Sequence, residues 1–254
     1  MKVIAICNQK GGIGKTTTAT NLAFGLQQRG KRVLLVDCDP QRNSSDTYRA
    51  DLSDGSPTLA DLLYSNEPAH TCIQHTEYGD ILVADRLLED ADKYLKGVSG
   101  YYRLRTRLKE VEDQYDHIIL DTPPALNLLL QNALIAAEGV IVPISCGKYA
   151  LQGLSDFWGT VKDVQAQPNP DLTILGILLV RYKKRSKLTR EIIDGLPPVT
   201  KMLNTTMFET MIRENVDVEE AQARQMPIME WNNKCAAAED YATLIDELTK
   251  KGVI

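Results

Sequence analysis

The chain has 254 residues, 43% hydrophobic and 25% charged, the balance of a soluble globular protein with room for one large α/β domain or two small ones. Its formal charge of −5 excludes a polycation, so any contact with nucleic acid has to come from a local basic patch. No window of eighteen uncharged apolar residues exists, so no transmembrane helix and no membrane partner are expected.

Met1 to Cys7 is a strand-length run rather than a charged-then-apolar leader. Gln9-Lys10-Gly11-Gly12-Ile13-Gly14-Lys15-Thr16-Thr17-Thr18 follows and opens an amphipathic helical run from Thr17 to Gln28. Strand, Gly-rich turn and helix are the context that a phosphate-binding loop requires. Glycines let backbone N–H groups approach phosphate oxygens, and a helix start adds unpaired N–H groups and the positive end of its dipole. Nucleotide contacts are therefore expected from Lys10, Gly11, Gly12, Ile13, Gly14, Lys15, Thr16 and Thr17. Lys15 is placed to reach the β/γ-phosphates, and Thr16 to offer Mg²⁺ a hydroxyl. The ordinary G-x-x-x-x-G-K-[ST] pattern is not met, because Gln9 stands where its first glycine belongs.

Lys10-Gly11-Gly12-Ile13-Gly14-Lys15-Thr16 instead resembles the deviant Walker A motif, K-G-G-x-G-K-[ST], of the ParA/MinD family of P-loop ATPases. The resemblance implies that Lys10 reaches across a dimer to the partner's nucleotide.

Gly30 reads as a helix stop, and Val33 to Val36 as a fully apolar strand ending in Asp37-Cys38-Asp39-Pro40-Gln41. Continuous apolar runs alternating with helical patterns predict parallel strands buried on both faces, with ligands at their carboxyl ends. Asp37 and Asp39 flank one residue, so an extended chain would point both the same way. Read alone, Asp39-Pro40 starts a turn. D-x-D-P-Q resembles the family's second motif, and Asn43 matches its continuation, while Arg42 stands where the family has Gly. That resemblance implies that Asp39 orients the attacking water near the metal and that Asp37 supports the metal or the loop.

Residues 44–80 read as polar and irregular, with a turn cluster at Ser53-Asp54-Gly55-Ser56-Pro57 and a short helix from Thr58 to Leu63. His70, Cys72 and His75 have no metal-ligand spacing. Ile81 to Ala84 reads as a strand. Tyr101 to Asp113 reads as a helix with Leu104, Leu108 and Val111 inward and Arg103, Arg105, Arg107 and Lys109 on a solvated face. His117 to Leu120 is an apolar strand ending in Asp121-Thr122-Pro123-Pro124, the Walker B arrangement, whose carboxylate meets Mg²⁺, often through water. The D-x-P-P ending again resembles the family. Leu126–Ala137 is predicted helical, Val140–Ile144 a strand, Tyr149–Gln165 a helix, Leu172–Val180 a buried strand and Ala236–Thr249 a closing helix. Tyr149-Ala150-Leu151-x-Gly153-Leu154 also looks like the family.

Arg181 to Arg190 carries six basic residues in ten, in a chain of net negative charge. Lys183, Lys184, Arg185, Lys187 and Arg190 are the predicted DNA contacts, made to phosphate without sequence preference. The bland alternative is a solvated loop. By resemblance, Arg185 is the nearest match to a basic DNA-contacting residue of the family. Glu214 and Asp217 stand where many relatives carry arginine, leaving Arg213 and Arg224 as possible compensation.

These readings predict an α/β P-loop NTPase fold, a largely parallel twisted sheet with helices on both faces, as a single domain over residues 1–254. The resemblance implies an ATPase using ATP and Mg²⁺, with Lys10, Lys15 and Asp39 catalytic and Thr16, Asp39 and Asp121 around the metal. It further implies a ParA-type DNA-segregation protein: an ATP-bound homodimer on nonspecific double-stranded DNA, released by hydrolysis that a ParB-like centromere-binding partner stimulates. With no DNA-binding domain expected ahead of the first strand, the chain looks like the short form of such proteins. Five cysteines without a C-x-x-C pair suit a reducing cytoplasm, so a cytoplasmic, nucleoid-associated protein is expected. One rival is a MinD-like or cargo-positioning switch on a membrane or protein scaffold; the membrane version needs a basic amphipathic tail that does not follow the last predicted helix. Another is an electron-transferring ATPase like the nitrogenase iron protein, for which Cys146 and Cys235 lack a recognisable context.

Overall fold

The structure, a computed structural model of the chain, describes residues 1–53, 55–147 and 150–254. Tyr149, where a helix was expected to begin, and Asp54 of the expected turn cluster lie outside the described residues.

The apolar runs become the strands of one sheet. They are β1 (Lys2–Ile6), β2 (Val33–Asp37), β3 (Ile73–Thr76), β4 (Gly79–Leu82), β5 (His117–Asp121), β6 (Gly139–Ser145), β7 (Thr173–Tyr182) and β8 (Ile212–Arg213). Their order is β3-β4-β2-β5-β1-β6-β7-β8. Every neighbouring pair is parallel except β3 and β4, which form an antiparallel edge.

The helices are α1 (Lys15–Gln27), α2 (Asn43–Thr47), α3 (Leu59–Tyr64), α4 (Ala91–Tyr94), α5 (Gly97–Tyr101), α6 (Arg103–Leu108), α7 (Leu128–Ala136), α8 (Ala150–Ala166), α9 (Lys187–Met202), α10 (Val216–Ala223), α11 (Ile228–Trp231) and α12 (Ala236–Lys250). They cover both faces of the sheet because successive strand residues point to opposite sides. Val3, Ala5, Leu34, Val36, Ile118 and Leu120 pack with α3, α6, α7 and α8, while Ile4, Ile6, Leu35 and Ile119 pack with α1 and α12. Each fully buried Leu or Ile of these layers stabilises the fold by about 1.5–3 kcal/mol.

Three expectations need correction. Beside the expected short helix, seen as α3, the stretch read as irregular holds α2 and the polar edge strand β3, of which only Ile73 is buried. The helix expected over Tyr101–Asp113 is broken into the end of α5, α6 and a 3₁₀ turn at Lys109–Val111. The basic segment is not a free loop: β7 runs on to Tyr182, and α9 begins at Lys187 behind its Ser186 cap.

Candidate functional site

A cavity of about 600 Å³ opens at the carboxyl end of the sheet. Gly11, Gly12, Gly14, Lys15, Thr16 and Thr17 form one wall, with Asp39, Gln41, Asn43 and Pro124 beside them; Arg181, Glu214, Asn215 and Gln222 form another.

The loop between β1 and α1 has the conformation its glycines allow. Gly12 and Gly14 have φ of 70° and 78°, in the left-handed region that a Cβ disfavours. Gly14 caps α1 without any side-chain hydrogen bond, and no acidic residue lies in the first turn. The opening N–H groups and the dipole's positive end are therefore directed at the cavity as an anion site. Two side chains brace the loop from outside: Asn8 Nδ2 donates to the Pro143 carbonyl at 2.8 Å, and Gln9 Nε2 donates to Thr160 Oγ1 at 2.7 Å. Sequence reasoning gave neither residue a role, because their partners lie on β6 and α8.

Lys15 is 7% exposed, and its Nζ donates to the Lys10 carbonyl at 3.0 Å. Burial pushes its ammonium below the usual lysine range, and the Asp121 charge is the largest effect opposing that. An ammonium so desolvated gains strongly from an anion. Lys10 behaves differently. It is exposed and does not line the cavity, and a Cβ built on Gly147 would lie 3.4 Å from its Nζ. Its side chain thus sits at the β6 end rather than over its own phosphate loop.

Asp37 and Asp39 do not share a direction, contrary to the extended-chain expectation. Asp37 is fully buried and accepts from the Asp39 N–H at 3.1 Å, the Ser45 N–H at 2.8 Å and Ser45 Oγ at 2.7 Å. It folds the loop back onto α2. Asp39 lines the cavity, with Oδ1 accepting from the Gln41 N–H at 3.0 Å. Arg42, in the family's glycine position, has φ 62° and starts α2; its guanidinium meets Asp46 at 3.2 Å.

Asp121 stands in register with Asp37 across β5 and β2. Its Oδ2 accepts from Ser44 Oγ at 2.7 Å, while its buried Oδ1 has no partner. Burial raises both carboxyls above their ordinary range; the Asp121 charge adds to the rise at Asp37, and the Ser44 hydrogen bond offsets part of it at Asp121. The orphaned oxygen, the Thr16 hydroxyl and Asp39 make a donor set that suits Mg²⁺, which retains water and takes few protein ligands. No closed cluster of His, Cys, Asp or Glu exists among the described residues.

The basic segment reaches the same end of the sheet, where Arg181 lines the cavity. Lys183, Lys184, Arg185, Lys187 and Arg190 are all exposed. Lys183 pairs with Glu214 at 2.8 Å, and among the described residues no ion pair holds the other four. Arg213 and Arg224 are committed elsewhere. Arg213 forks onto Asp240 at 2.7 to 3.1 Å, and Arg224 lies 3.9 Å from the centre of the Trp231 ring. Asp217 accepts from Asn232 Nδ2 at 3.0 Å. Cys146 faces Thr189 Oγ1 at 3.3 Å, and Cys235 Sγ caps α12. Among the described residues no helix is long and apolar enough to cross a membrane.

A family model described as an AAA domain matches residues 1–174. The sporulation initiation inhibitor protein Soj of Bacillus subtilis (strain 168) is 38% identical over 254 residues, 99% of each chain. The chromosome partitioning protein ParA of Caulobacter vibrioides (strain NA1000 / CB15N) is 35% identical over 256 residues, covering 99% of this chain and 95% of its own. Among solved structures, cobyrinic acid a,c-diamide synthase from Mycobacterium smegmatis with bound ATP analog and magnesium superposes with a TM-score of 0.85 at 29% identity, covering 99% of this chain and 97% of that one.

Proposed function

The chain belongs to the ParA/Soj group of the ParA/MinD family of P-loop ATPases, and from there we propose that it segregates DNA as an ATP-gated dimer. The observation that carries the nucleotide part is the uncapped start of α1 beside a buried lysine and an unpartnered, buried aspartate oxygen. ATP fits the anion wall, with Gly11 to Thr17 around its phosphates. Mg²⁺, when bound, supplies neutralising charge between phosphate oxygens. Thr16, Asp39 and Asp121 would hold it. Lys15 stabilises charge developing on the transferred phosphoryl group, and Asp39 orients the attacking water.

Lys10 completes the site of a second copy. Its Nζ is accessible and turned away from its own cavity, which is what donation to a neighbour requires. A cation supplied in this manner raises phosphoryl-transfer rates by about 10³ to 10⁵-fold in related chemistry. Dimerisation also doubles the phosphate contacts offered by Lys184, Arg185, Lys187 and Arg190, which raises affinity for DNA and steepens its salt dependence. ATP then favours the DNA-bound state because only the dimer presents both segments, and hydrolysis, stimulated by a ParB-like partner, releases it. The location that follows is the nucleoid-associated cytoplasm.

DNA co-sedimentation with ATP, ADP or no nucleotide, repeated across salt, tests this reading. Retention with ATP alone, falling steeply with salt and lost in K184E/R185E while ATP binding persists, is expected. Equal retention in all three nucleotide states would contradict it.

A further inference from the structure

The β7–β8 pairing positions one carboxylate between the cavity and the basic segment. Tyr182 is in register with Arg213, and the Glu214 N–H donates to the Tyr182 carbonyl at 3.0 Å. This fixes Glu214 beside the basic run. Its Oε2 meets Lys183 Nζ at 2.8 Å, and its Oε1 meets Arg181 Nη2 at 3.7 Å. Two of the six cations between Arg181 and Arg190 thus share one carboxylate of the chain. Both Glu214 and Arg181 also line the cavity. Arg181 holds φ 54°, a left-handed conformation that a long side chain adopts at a cost. The pairs are solvent-facing and contribute little to stability, so holding the fold together does not account for them.

We propose that Glu214 is an intramolecular latch that withholds Lys183 and Arg181 from DNA and couples them to the occupancy of the cavity. The proposal rests on the DNA reading above. An anionic occupant of the cavity meets the wall that carries Glu214 and Arg181, so it draws on Arg181 and repels the Glu214 carboxylate, and loading it loosens the hold on Lys183. DNA meets the same carboxylate: each phosphate that takes Lys183 or Arg181 has to displace it. The Arg213 side chain does not join this exchange, because Asp240 and Glu239 hold it.

The test compares wild-type protein, Glu214→Gln and the double variant Glu214→Gln with Lys183→Gln, binding nonspecific duplex DNA across salt, without nucleotide and with ATP. Glu214→Gln should bind DNA more tightly without nucleotide, by about three- to tenfold, with a log–log salt slope steeper by about 1 to 2. Its ratio of ATP-bound to nucleotide-free affinity should shrink, and the double variant should lose about one unit of the added slope. Thermal unfolding of each variant reports that it is folded. If wild-type protein binds DNA with ATP but Glu214→Gln shows its affinity and slope unchanged, the latch is wrong and the DNA reading stands. If wild-type protein binds DNA in no nucleotide state, both are wrong.

Discussion

Asp37 and Asp121 face each other across two buried strands, and each carboxyl is held protonated to a higher pH than the ordinary 3.8. A carboxyl that binds its proton more tightly folded than unfolded makes stability fall as pH rises from the unfolded value through the raised native one. Nucleotide-free protein should therefore lose stability through this pair between about pH 4 and pH 8. Asp121→Asn removes one member. Its stability advantage over wild type should widen with pH, by about 1.4 kcal/mol for each tenfold by which folding tightens the carboxyl's hold on its proton, while Mg²⁺-dependent ATP binding is lost. Urea unfolding at pH 5 and pH 8 reads the difference, and a gap that does not change with pH would count against the pair. At Arg42 the left-handed backbone and a part-exposed ion pair nearly offset each other. Arg42→Gly should be neutral or stabilising by up to about 1 kcal/mol, and a clear loss in thermal unfolding would assign the guanidinium a role beyond Asp46. At this scale the gathering of Lys15, Thr16 and Asp39 at one cavity was legible, because each stands in a motif at the carboxyl end of a strand. For Asp37 the resemblance left metal and loop open, and the choice between them was not legible, since it depends on α2 bringing Ser45 back over the strand end.

Elements that carry a continuous apolar run were readable in order, and β1, β2, β5, β6 and β7 all lie within a few residues of their expected bounds. The edge strand β3 escaped because Gln74, His75 and Thr76 give it no apolar run; its order comes from pairing with β4. In α9, Pro197 and Pro198 lie inside the helix, so its sequence reads as a break. Some joints between elements rest on single polar side chains. Asn169 donates from Nδ2 to the carbonyls of Leu134, Ile135 and Ala137 at 3.0, 3.3 and 2.7 Å, closing the end of α7. Asn169→Ala leaves those buried carbonyls without a donor and should cost about 1–3 kcal/mol in urea unfolding. ATP affinity should not change, because the residue lies away from the nucleotide cavity. An unaltered midpoint would show that the carbonyls find other donors.

Over the whole molecule, a net charge of −5 coexists with a basic segment at the end of the sheet where the nucleotide cavity opens. In the function we propose, that arrangement lets one event, the pairing of two copies over bound ATP, set both hydrolysis and contact with DNA. The fold and the phosphate loop could be read from the order of runs and motifs, while the orientation of Lys10 could not, because it depends on the approach of β6 to the loop. The most direct test is sedimentation velocity of wild-type protein and Lys10→Ala with a non-hydrolysable ATP analogue and Mg²⁺. A wild-type dimer, beside a Lys10→Ala monomer that still binds the analogue, is the predicted result. Wild-type protein that stays monomeric at saturating analogue would contradict the account.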